Sequence, residues 1–229
     1  MDTASDYRIL VAEDAVNRLE NRVRVWSLPY PLNKGLALEM VRRLRSSLMR
    51  IKYSYLPLEM LLGFDALKEL EEVARELAKV LLPPKGVRVE GEAQKLALAE
   101  IRYSLSILLG LRARLALGEE NRPEHAVDIV GVEVGFVEKH PRADRLWIAK
   151  VGTERFSLTV VTNIPSVRKG EVRGVAILPP TAFFGVVSEA MFCTDPLPPE
   201  LKGRRIPSKY LHLAEVINAV ESIVKRVRR

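Results

Sequence analysis

The sequence is poor in the residues that build metal and redox sites. Its 229 residues include a single cysteine, Cys193, and three widely spaced histidines. One thiol excludes an intrachain disulfide and any zinc site made from several cysteines. The sequence therefore predicts neither a metal site nor a cofactor.

Apolar runs long enough to cross a membrane are also missing. The longest uncharged stretch, residues 174–188, contains Pro179 and Pro180 and is too short to span a bilayer. The N-terminus lacks the basic start and apolar core of a signal peptide. We therefore expect a cytoplasmic protein with no membrane partner.

No catalytic signature is present in the sequence. It contains no Walker loop, and no nucleophile accompanies His140 and Asp144 at a fixed spacing. Asp144 is expected instead to bond backbone amides of its own turn. The sequence predicts a protein that is not an enzyme.

Charge is plentiful by contrast, with 36 basic and 29 acidic residues and a formal net charge of +7. Residues 1–125 carry 20 basic and 18 acidic residues, residues 126–195 carry eight of each, and residues 196–229 carry eight basic and three acidic. A basic balance favours an acidic partner such as RNA. The basic residues concentrate in a predicted second helix and in the tail: Lys34, Arg42, Arg43, Arg45, Arg50, Lys52, Lys202, Arg204, Arg205, Lys209, Lys225, Arg226, Arg228 and Arg229.

Helical periodicity divides the first 125 residues into four predicted helices. They cover residues 7–24, 36–52 behind a cap at Asn33, 57–82 with a possible break at Gly63, and 92–117. The arginines of the second helix either contact an RNA backbone or pair with acidic residues of the third helix. Tyr53 and Tyr55 follow this helix and either stack on bases or are buried between helices. We expect a helical bundle.

The pattern becomes β-like near residue 130, with β-patterned runs at 130–137 and 146–151 and a run rich in valine and isoleucine at 172–178. One turn motif lies between the first two runs, and a second follows the third run. The first reads Glu138-Lys139-His140-Pro141-Arg142-Ala143-Asp144-Arg145-Leu146, and the second reads Phe184-Gly185-Val186-Val187-Ser188-Glu189-Ala190-Met191.

In this order the motifs resemble the tRNA-binding domain appended to some methionyl- and phenylalanyl-tRNA synthetases. The domain also occurs in free-standing tRNA-binding proteins and in the endothelial monocyte-activating polypeptide. The resemblance covers residues 128–195 and implies a five-stranded OB barrel. The predicted fold class is α+β, with a helical domain (1–125), an OB barrel (126–195), and a proline-rich linker with a basic helix starting near Pro207 (196–229). Implied partners are tRNA, a second copy in a homodimer, and an aminoacyl-tRNA synthetase or another translation protein.

Some positions depart from the family. Its usual basic residues between the proline and the glycine of the second motif are replaced here, where Ala182, Phe183 and Phe184 precede Gly185. Asn163 and Ala190 stand where the family usually has glycine. The altered loop favours an alternative function, a protein-interaction or oligomerisation module built on the barrel.

The leading prediction is a non-catalytic RNA-binding protein, with tRNA as its first candidate RNA and no synthetase signature. Trp147 lies outside the barrel if Leu146 and Ile148 are core, or packs under the helical domain or a dimer partner. Ser188 and Met191 either contact RNA, or Ser188 orders its loop with Glu189 while Met191 fills the barrel mouth. The predicted RNA-binding residues are Trp147, Lys150, Asn163, Ser188, Met191, Arg42, Arg43, Lys225, Arg226, Arg228 and Arg229.

Overall fold

The computed structural model describes residues 1–228 and divides the chain into two compact units. The first is Met1–Val127 together with the chain from Val220 onward, and the second is Asp128–Ala219. Each unit has its own apolar core. No helix among the described residues is long and apolar enough to cross a membrane.

Within residues 1–127, six helices build the first unit. They are α1 (Tyr7–Arg24), α2 (Lys34–Lys52), α3 (Leu58–Leu62), α4 (Asp65–Leu81), α5 (Glu92–Leu109) and α6 (Leu111–Leu115). Side-chain caps explain where the first two begin, because Asp6 accepts the Arg8 N–H and Asn33 accepts the Leu36 N–H. The predicted cap at Asn33 and the predicted break at Gly63 are both confirmed.

The predicted fourth helix is wrong in one respect, because Gly110 divides it into α5 and α6. Glycine is a poor residue for a helix interior. Here it also leaves space, since a Cβ on Gly110 would lie 2.6 Å from Nη1 of Arg114 and 3.0 Å from the Ser106 carbonyl. The chain therefore turns at a position that has no room for a side chain.

A buried ion pair ties the start of α1 to the end of α6. Arg8 and Asp6 are fully buried, with Nη2 of Arg8 2.7 Å from the Asp6 carboxylate. Nη1 of Arg8 donates to the carbonyls of Arg114, Leu115 and Gly118, which lie at the C-terminal end of the helical segment. A buried charge is tolerated when it is paired and hydrogen-bonded in this way.

The second unit contains a five-stranded antiparallel sheet with the order β3-β2-β1-β4-β5. Its strands are β1 (Ile129–Lys139), β2 (Trp147–Gly152), β3 (Ser157–Thr162), β4 (Val172–Phe183) and β5 (Val186–Phe192). β1 pairs with β4 through its first half and with β2 through its second half, and its register shifts at a bulge between Val134 and Phe136. The bulge bends the long strand so that it serves both neighbours.

Alternating side chains of these strands fill the barrel core. The buried members from the strands are Val132, Val134, Ala149, Val151, Val160, Val175, Ala190 and Phe192, and Val167 joins them from the loop between β3 and β4. Period-2 alternation of apolar residues gives each strand one inward face. The predicted α+β fold, a helical region followed by a five-stranded OB-like barrel and a C-terminal helix, is confirmed.

The C-terminal helix begins later than the sequence predicts. A 3₁₀ turn covers Ser208–Tyr210, and helix α7 covers Leu213–Val227. Pro207 precedes the 3₁₀ turn, and the chain is extended at Leu211 before α7 starts. The boundary between the two compact units falls within α7, at Val220.

Candidate nucleic-acid interface

Side chains of the second turn motif close the barrel between β3 and β5. The Ser188 hydroxyl accepts the Val161 N–H at 2.9 Å, and the Glu189 carboxylate accepts the Thr159 N–H at 2.9 Å. Ser188 is buried and donates its own proton to the Ala190 carbonyl at 3.1 Å. Because its proton is engaged inside the barrel, the predicted donation from Ser188 to RNA is corrected in favour of the ordering role.

The first turn motif is held by His140. Nδ1 of this buried ring accepts the Arg142 N–H at 3.1 Å, so Nε2 carries the proton and donates to the Phe183 carbonyl at 3.1 Å. The side chain of Asp144 is fully exposed, 3.5 Å from Nζ of Lys139. The expectation that Asp144 holds this turn is wrong, because the imidazole binds the amide instead. With both ring nitrogens bonded, His140 has no free group for acid–base chemistry.

The turn between β4 and β5 presents two phenylalanines where the resemblance implies basic residues. Phe184 has a φ of 46° and Gly185 a φ of 90°. Two successive positive φ values are typical of a type I′ hairpin turn, which bulky residues rarely enter. The Phe184 side chain is 62% exposed and touches His140 edge to face, with ring centroids 6.1 Å apart. The turn therefore offers apolar surface and no phosphate contact.

Trp147 lies on the core side of β2, half-buried at the end of the strand. The residues of β2 that join the barrel core are Ala149 and Val151, and Trp147 shares their face by alternation. Ile148 is buried but lies on the other face. The premise that Leu146 and Ile148 are barrel core is therefore wrong. Ala149, a small residue, is the one that points into the core next to Trp147. In the sequence the larger apolar residues Leu146 and Ile148 suggested the opposite face.

Lys150 lies on the outer face of β2, opposite Phe136 of β1. Its ammonium donates to the Thr159 hydroxyl, and its residue is exposed. Phe136 follows the bulge of β1 and is 48% exposed. The outer face of the β1–β2 ladder thus has an aromatic ring beside a cation, an arrangement that suits single-stranded nucleic acid.

Asn163, Ser188 and Met191 line one cleft of about 770 Å³ in the second unit. Asn163 is exposed, and Met191 is half-buried. The structure therefore brings together three of the residues predicted to bind RNA. Trp147 and Lys150 do not line this cleft.

The charges of the large cleft do not suit phosphate. Its arginine, Arg173, is buried and lies 2.8 Å from Glu171. Burial acts to raise the pKa of Glu171, but the hydrogen bond from Arg173, the Arg168 N–H and the two guanidinium charges together lower it. The exposed carboxylates of Asp195 and Glu215 also line the cleft. A neutralised arginine beside two carboxylates repels an anionic backbone.

The barrel segment has equal numbers of basic and acidic residues, but its side chains without an ion-pair partner are mostly basic. Glu133 and Glu154 both hold Nζ of Lys202, at 2.8 and 2.7 Å, and these hydrogen bonds raise the pKa of Lys202 and lower that of Glu154. Glu171 binds the guanidinium of Arg173, and Glu189 accepts the Thr159 N–H. Six barrel cations form no ion pair within residues 1–228: Arg142, Arg145, Lys150, Arg155, Arg168 and Lys169.

These six cations lie on β2 or in the loops next to β2 and β3. Of the six, only Lys150 was predicted to bind RNA, because a count of charges by segment does not reveal which carboxylates are already bonded. A usable signal was position. Five of the six lie in loops, where a side chain is exposed and has few neighbours.

The basic face of α2 is mostly paired within the helical unit. Arg42 pairs with Glu39 of its own helix, and Arg50 pairs with Glu69 of α4. The remaining pairs reach α1 and not α4, since Arg45 binds Glu20 and Lys52 binds Glu13. Arg43 is exposed and has no ion-pair partner within residues 1–228. Of the two predicted RNA contacts on α2, Arg42 and Arg43, only Arg43 is therefore free.

Tyr53 and Tyr55 are exposed by 58% and 57%, so the alternative of burial between helices is wrong. The Tyr55 backbone has a φ of 51°, and its N–H donates to the Thr3 hydroxyl. The chain leaves α2 in a tight turn that directs both rings to the surface.

The tail residues Lys225, Arg226 and Arg228 are exposed. Lys225 lies 4.0 Å from Glu221 one turn earlier, and Arg226 and Arg228 have no ion-pair partner in the described part of the chain. Arg229, the fourth predicted tail contact, lies outside the described residues. Residues 1–228 hold no group of three or more histidine, cysteine or acidic side chains that could bind a metal ion.

Comparison with known proteins assigns both units to families. Residues 1–118 match the model "Alpha helical domain", and residues 129–203 match the model "Putative tRNA binding domain". The solved structures that match include the crystal structure of a MetRS related protein from Pyrococcus horikoshii. It is 23% identical, with a TM-score of 0.33 over 35% of this chain and 90% of that chain. No curated protein matches. The family model over residues 129–203 confirms the resemblance seen in the turn motifs. Because the first model matches more than half of its length, the chain belongs to the alpha helical domain family.

Proposed function

We propose that the protein binds RNA without catalysing a reaction, with tRNA as the first candidate. The observation that carries this proposal is the set of six unpaired cations around β2 and β3, next to the exposed ring of Phe136. Basic side chains that follow a strand face track a phosphate backbone, while aromatic rings stack on bases. The match of residues 129–203 to a tRNA-binding family supports the same function.

The contacts divide into two kinds by position. Arg142, Arg145 and Lys150 form the basic side of the β1–β2 loop and β2, and they would hold phosphates without choosing sequence. Arg43 of α2 and the tail residues Arg226 and Arg228 add positive charge outside the barrel. These flanking groups would increase attraction over distance and make binding dependent on salt.

Binding of purified protein to bulk tRNA, with duplex DNA as competitor, tests the proposal. At about six phosphate contacts the affinity should fall by roughly a thousandfold between 50 and 200 mM salt. We expect tRNA binding at 50 mM that survives an excess of duplex DNA. Binding that DNA abolishes would reduce the function to general attraction for polyanions, and no binding at 50 mM would contradict the proposal.

The second candidate is a protein-interaction module, favoured by the Phe183-Phe184 turn. These two rings are exposed at a hairpin where the family has cations, and an exposed apolar patch on a loop is a common protein contact. A homodimer, a synthetase or another translation protein would be the partner. Sedimentation of the free chain, compared with a Phe184→Ser variant, separates the cases. A dimer that dissociates in the variant would favour this module.

A further inference from the structure

The large cleft of the second unit extends onto the outer face of β4 and β5, where its walls are apolar. Met191 lies on this outer face, because its neighbours Ala190 and Phe192 point into the barrel core. Leu178 and Pro179 lie beside it in β4, where the register between the two strands shifts. Met191, Leu178 and Pro179 all line the cleft and are half-buried. This part of the cleft therefore keeps apolar surface in contact with solvent.

Two carboxylates lie next to this apolar wall. Asp195 comes shortly after β5, and Glu215 lies in the first turn of α7. The chain between them is attached to β5, since the His212 N–H donates to the Cys193 carbonyl at 2.8 Å. Both carboxylates are exposed, and neither pairs with a lysine or arginine within residues 1–228. We call this part of the cleft the outer groove, and its residues are Leu178, Pro179, Met191, Asp195, His212 and Glu215.

The arginine that lines the large cleft belongs to the other face of the sheet. Arg173 shares the inner face of β4 with the core residue Val175, and it is buried 2.8 Å from Glu171. The outer groove is therefore negative, in a chain whose formal net charge is +7. A surface that is both negative and apolar repels phosphate and complements a ligand with a positive charge beside apolar groups.

We propose that the outer groove binds an extended peptide segment of a partner protein that carries apolar side chains beside a lysine or arginine. The apolar side chains lie against Leu178 and Met191, and the basic side chain lies at the two carboxylates. At about 770 Å³ the whole cleft is within the range of sites for drug-sized ligands, roughly 300–1,000 Å³, which several adjacent side chains of a peptide fill.

The two kinds of contact have different tasks in this groove. A long basic side chain covers apolar surface with its methylene groups while its charged end stays in water. Exposed ion pairs are individually weak, so the apolar contacts supply most of the affinity and the carboxylates select basic segments over acidic ones. None of the six free barrel cations takes part. Peptide binding is therefore separate from the proposed binding of RNA.

The experiment titrates the full chain into three fluorescein-labelled octapeptides at about 50 mM salt and follows fluorescence anisotropy. One peptide alternates leucine with lysine, the second alternates leucine with glutamate, and the third alternates serine with lysine. We expect the leucine–lysine peptide to bind about tenfold or more tightly than either of the others, because each of those lacks one of the two kinds of contact.

Two variants test the groove itself. Asp195→Asn combined with Glu215→Gln should weaken binding of the leucine–lysine peptide by about 3- to 25-fold, at up to roughly fivefold for each exposed ion pair. Leu178→Ser should weaken it on the order of tenfold through lost apolar contact. Because both carboxylates are exposed, the double variant keeps its fold, and it decides the test if Leu178→Ser does not fold. Neither change should weaken tRNA binding.

The matched control combines Asp144→Asn with Glu200→Gln, which removes two exposed carboxylates of the same unit that do not line the cleft. Its peptide affinity should stay within about twofold of the parent. Equal losses in both double variants would overturn the proposal, because they would show attraction to net charge alone. Unchanged affinity after the two changes in the outer groove would also overturn it. If no peptide binds and sedimentation shows a dimer that Glu215→Lys dissociates, the groove holds a second copy of the chain and the proposal is wrong.

Discussion

The helical unit and the barrel use similar charge balances in opposite ways. At least twelve of the 20 cations in residues 1–125 lie in ion pairs, namely Arg8, Arg18, Arg22, Arg24, Arg42, Arg45, Arg50, Lys52, Lys68, Arg75, Arg112 and Arg122. In the described barrel segment only two of eight do, Lys139 and Arg173. A nearly even balance of charges is therefore mostly paired in one unit and leaves most cations unpaired in the other.

The difference teaches that net charge per segment is a poor guide to where an anion binds. A salt bridge between packed helices removes both charges from the surface potential. In the barrel several carboxylates instead bind backbone N–H groups, a buried arginine or Lys202, all within the same unit. The positive potential that remains depends on these contacts and not on the composition.

The largest effect is expected on the stability of the helical unit when its buried ion pair, Arg8 with Asp6, is broken. Arg8→Ala leaves the buried Asp6 carboxylate without its partner and frees three carbonyls, so it should destabilise the helical unit by about 3–5 kcal/mol. Guanidinium denaturation followed by Trp26 fluorescence in a Trp147→Phe background measures this unit. Trp26 is suited to the purpose, because it is half-buried and donates to the Tyr30 carbonyl.

The matched control for this change is Arg24→Ala. Arg24 pairs with Glu20 on the surface, and such pairs contribute about 0–1 kcal/mol. Equal losses of stability in the two variants would contradict the claim that the buried Arg8–Asp6 pair stabilises this unit more than a surface pair does.

The next effect should appear in RNA affinity when the free barrel cations are removed. Changing Arg142, Arg145 and Lys150 together to glutamine should weaken tRNA binding on the order of 100-fold at 50 mM salt, at about 1 kcal/mol for each lost contact. The slope of log affinity against log salt should fall by about 2–3. Filter binding at several salt concentrations measures both quantities.

The paired cations Arg24, Arg42 and Arg50 provide the control triple, changed to glutamine in the same way. Their side chains are already bonded to Glu20, Glu39 and Glu69 and are not expected to contact phosphate directly, so affinity should change by less than a quarter as much on a logarithmic scale, roughly threefold or less. An equal loss of affinity in both triples would contradict the claim that RNA binds the unpaired barrel cations and not the paired cations of the helical unit.

A smaller effect is expected from barrel closure. Ser188→Ala leaves the Val161 N–H without its acceptor, which should destabilise the barrel by about 1–3 kcal/mol. Trp147 fluorescence in a Trp26→Phe background reports unfolding of this unit, and Ser157→Ala on the exposed side of β3 is the control. Unchanged stability combined with lost tRNA affinity would show that Ser188 contacts RNA and does not serve to close the barrel.

The last effect is confined to high pH and concerns the buried thiol of Cys193. Burial and the nearby Glu215 charge raise its pKa from 9.0 to about 12. The folded state therefore keeps the proton that the unfolded state loses above pH 9, and the stability from this group is full below pH 9 and declines up to about pH 12. Native protein should resist alkylation by iodoacetamide at pH 8, and unfolded protein should react.

Comparison with Cys193→Ala isolates that decline from other groups that titrate at high pH. The difference in unfolding free energy between the two chains should shrink as the pH rises from 9 toward 12. Rapid alkylation of the native chain at pH 8 would show that the thiol is reached from solvent.

Much of the fold could be predicted because local signals decide it. The cap at Asn33 and the break at Gly63 depend on neighbours a few residues away, and the two turn motifs identified the barrel before any contact was known. Gly110 was missed because a helix often continues through one glycine, and the sequence does not show that Arg114 and the Ser106 carbonyl fill the space beside it. The face of Trp147 stayed open in the sequence, because it depends on which residues of β2 fill the core.

The sequence by itself determined the helical domain, the five-stranded barrel and its family, since hydrophobic period, caps and turn residues act over short distances. Only the tertiary structure decided that Ser188 closes the barrel, that His140 holds the first turn, and that carboxylates line the large cleft. Those outcomes depend on which groups meet across strands and loops, and a hydrogen bond or an ion pair forms only where folding brings its partners within reach.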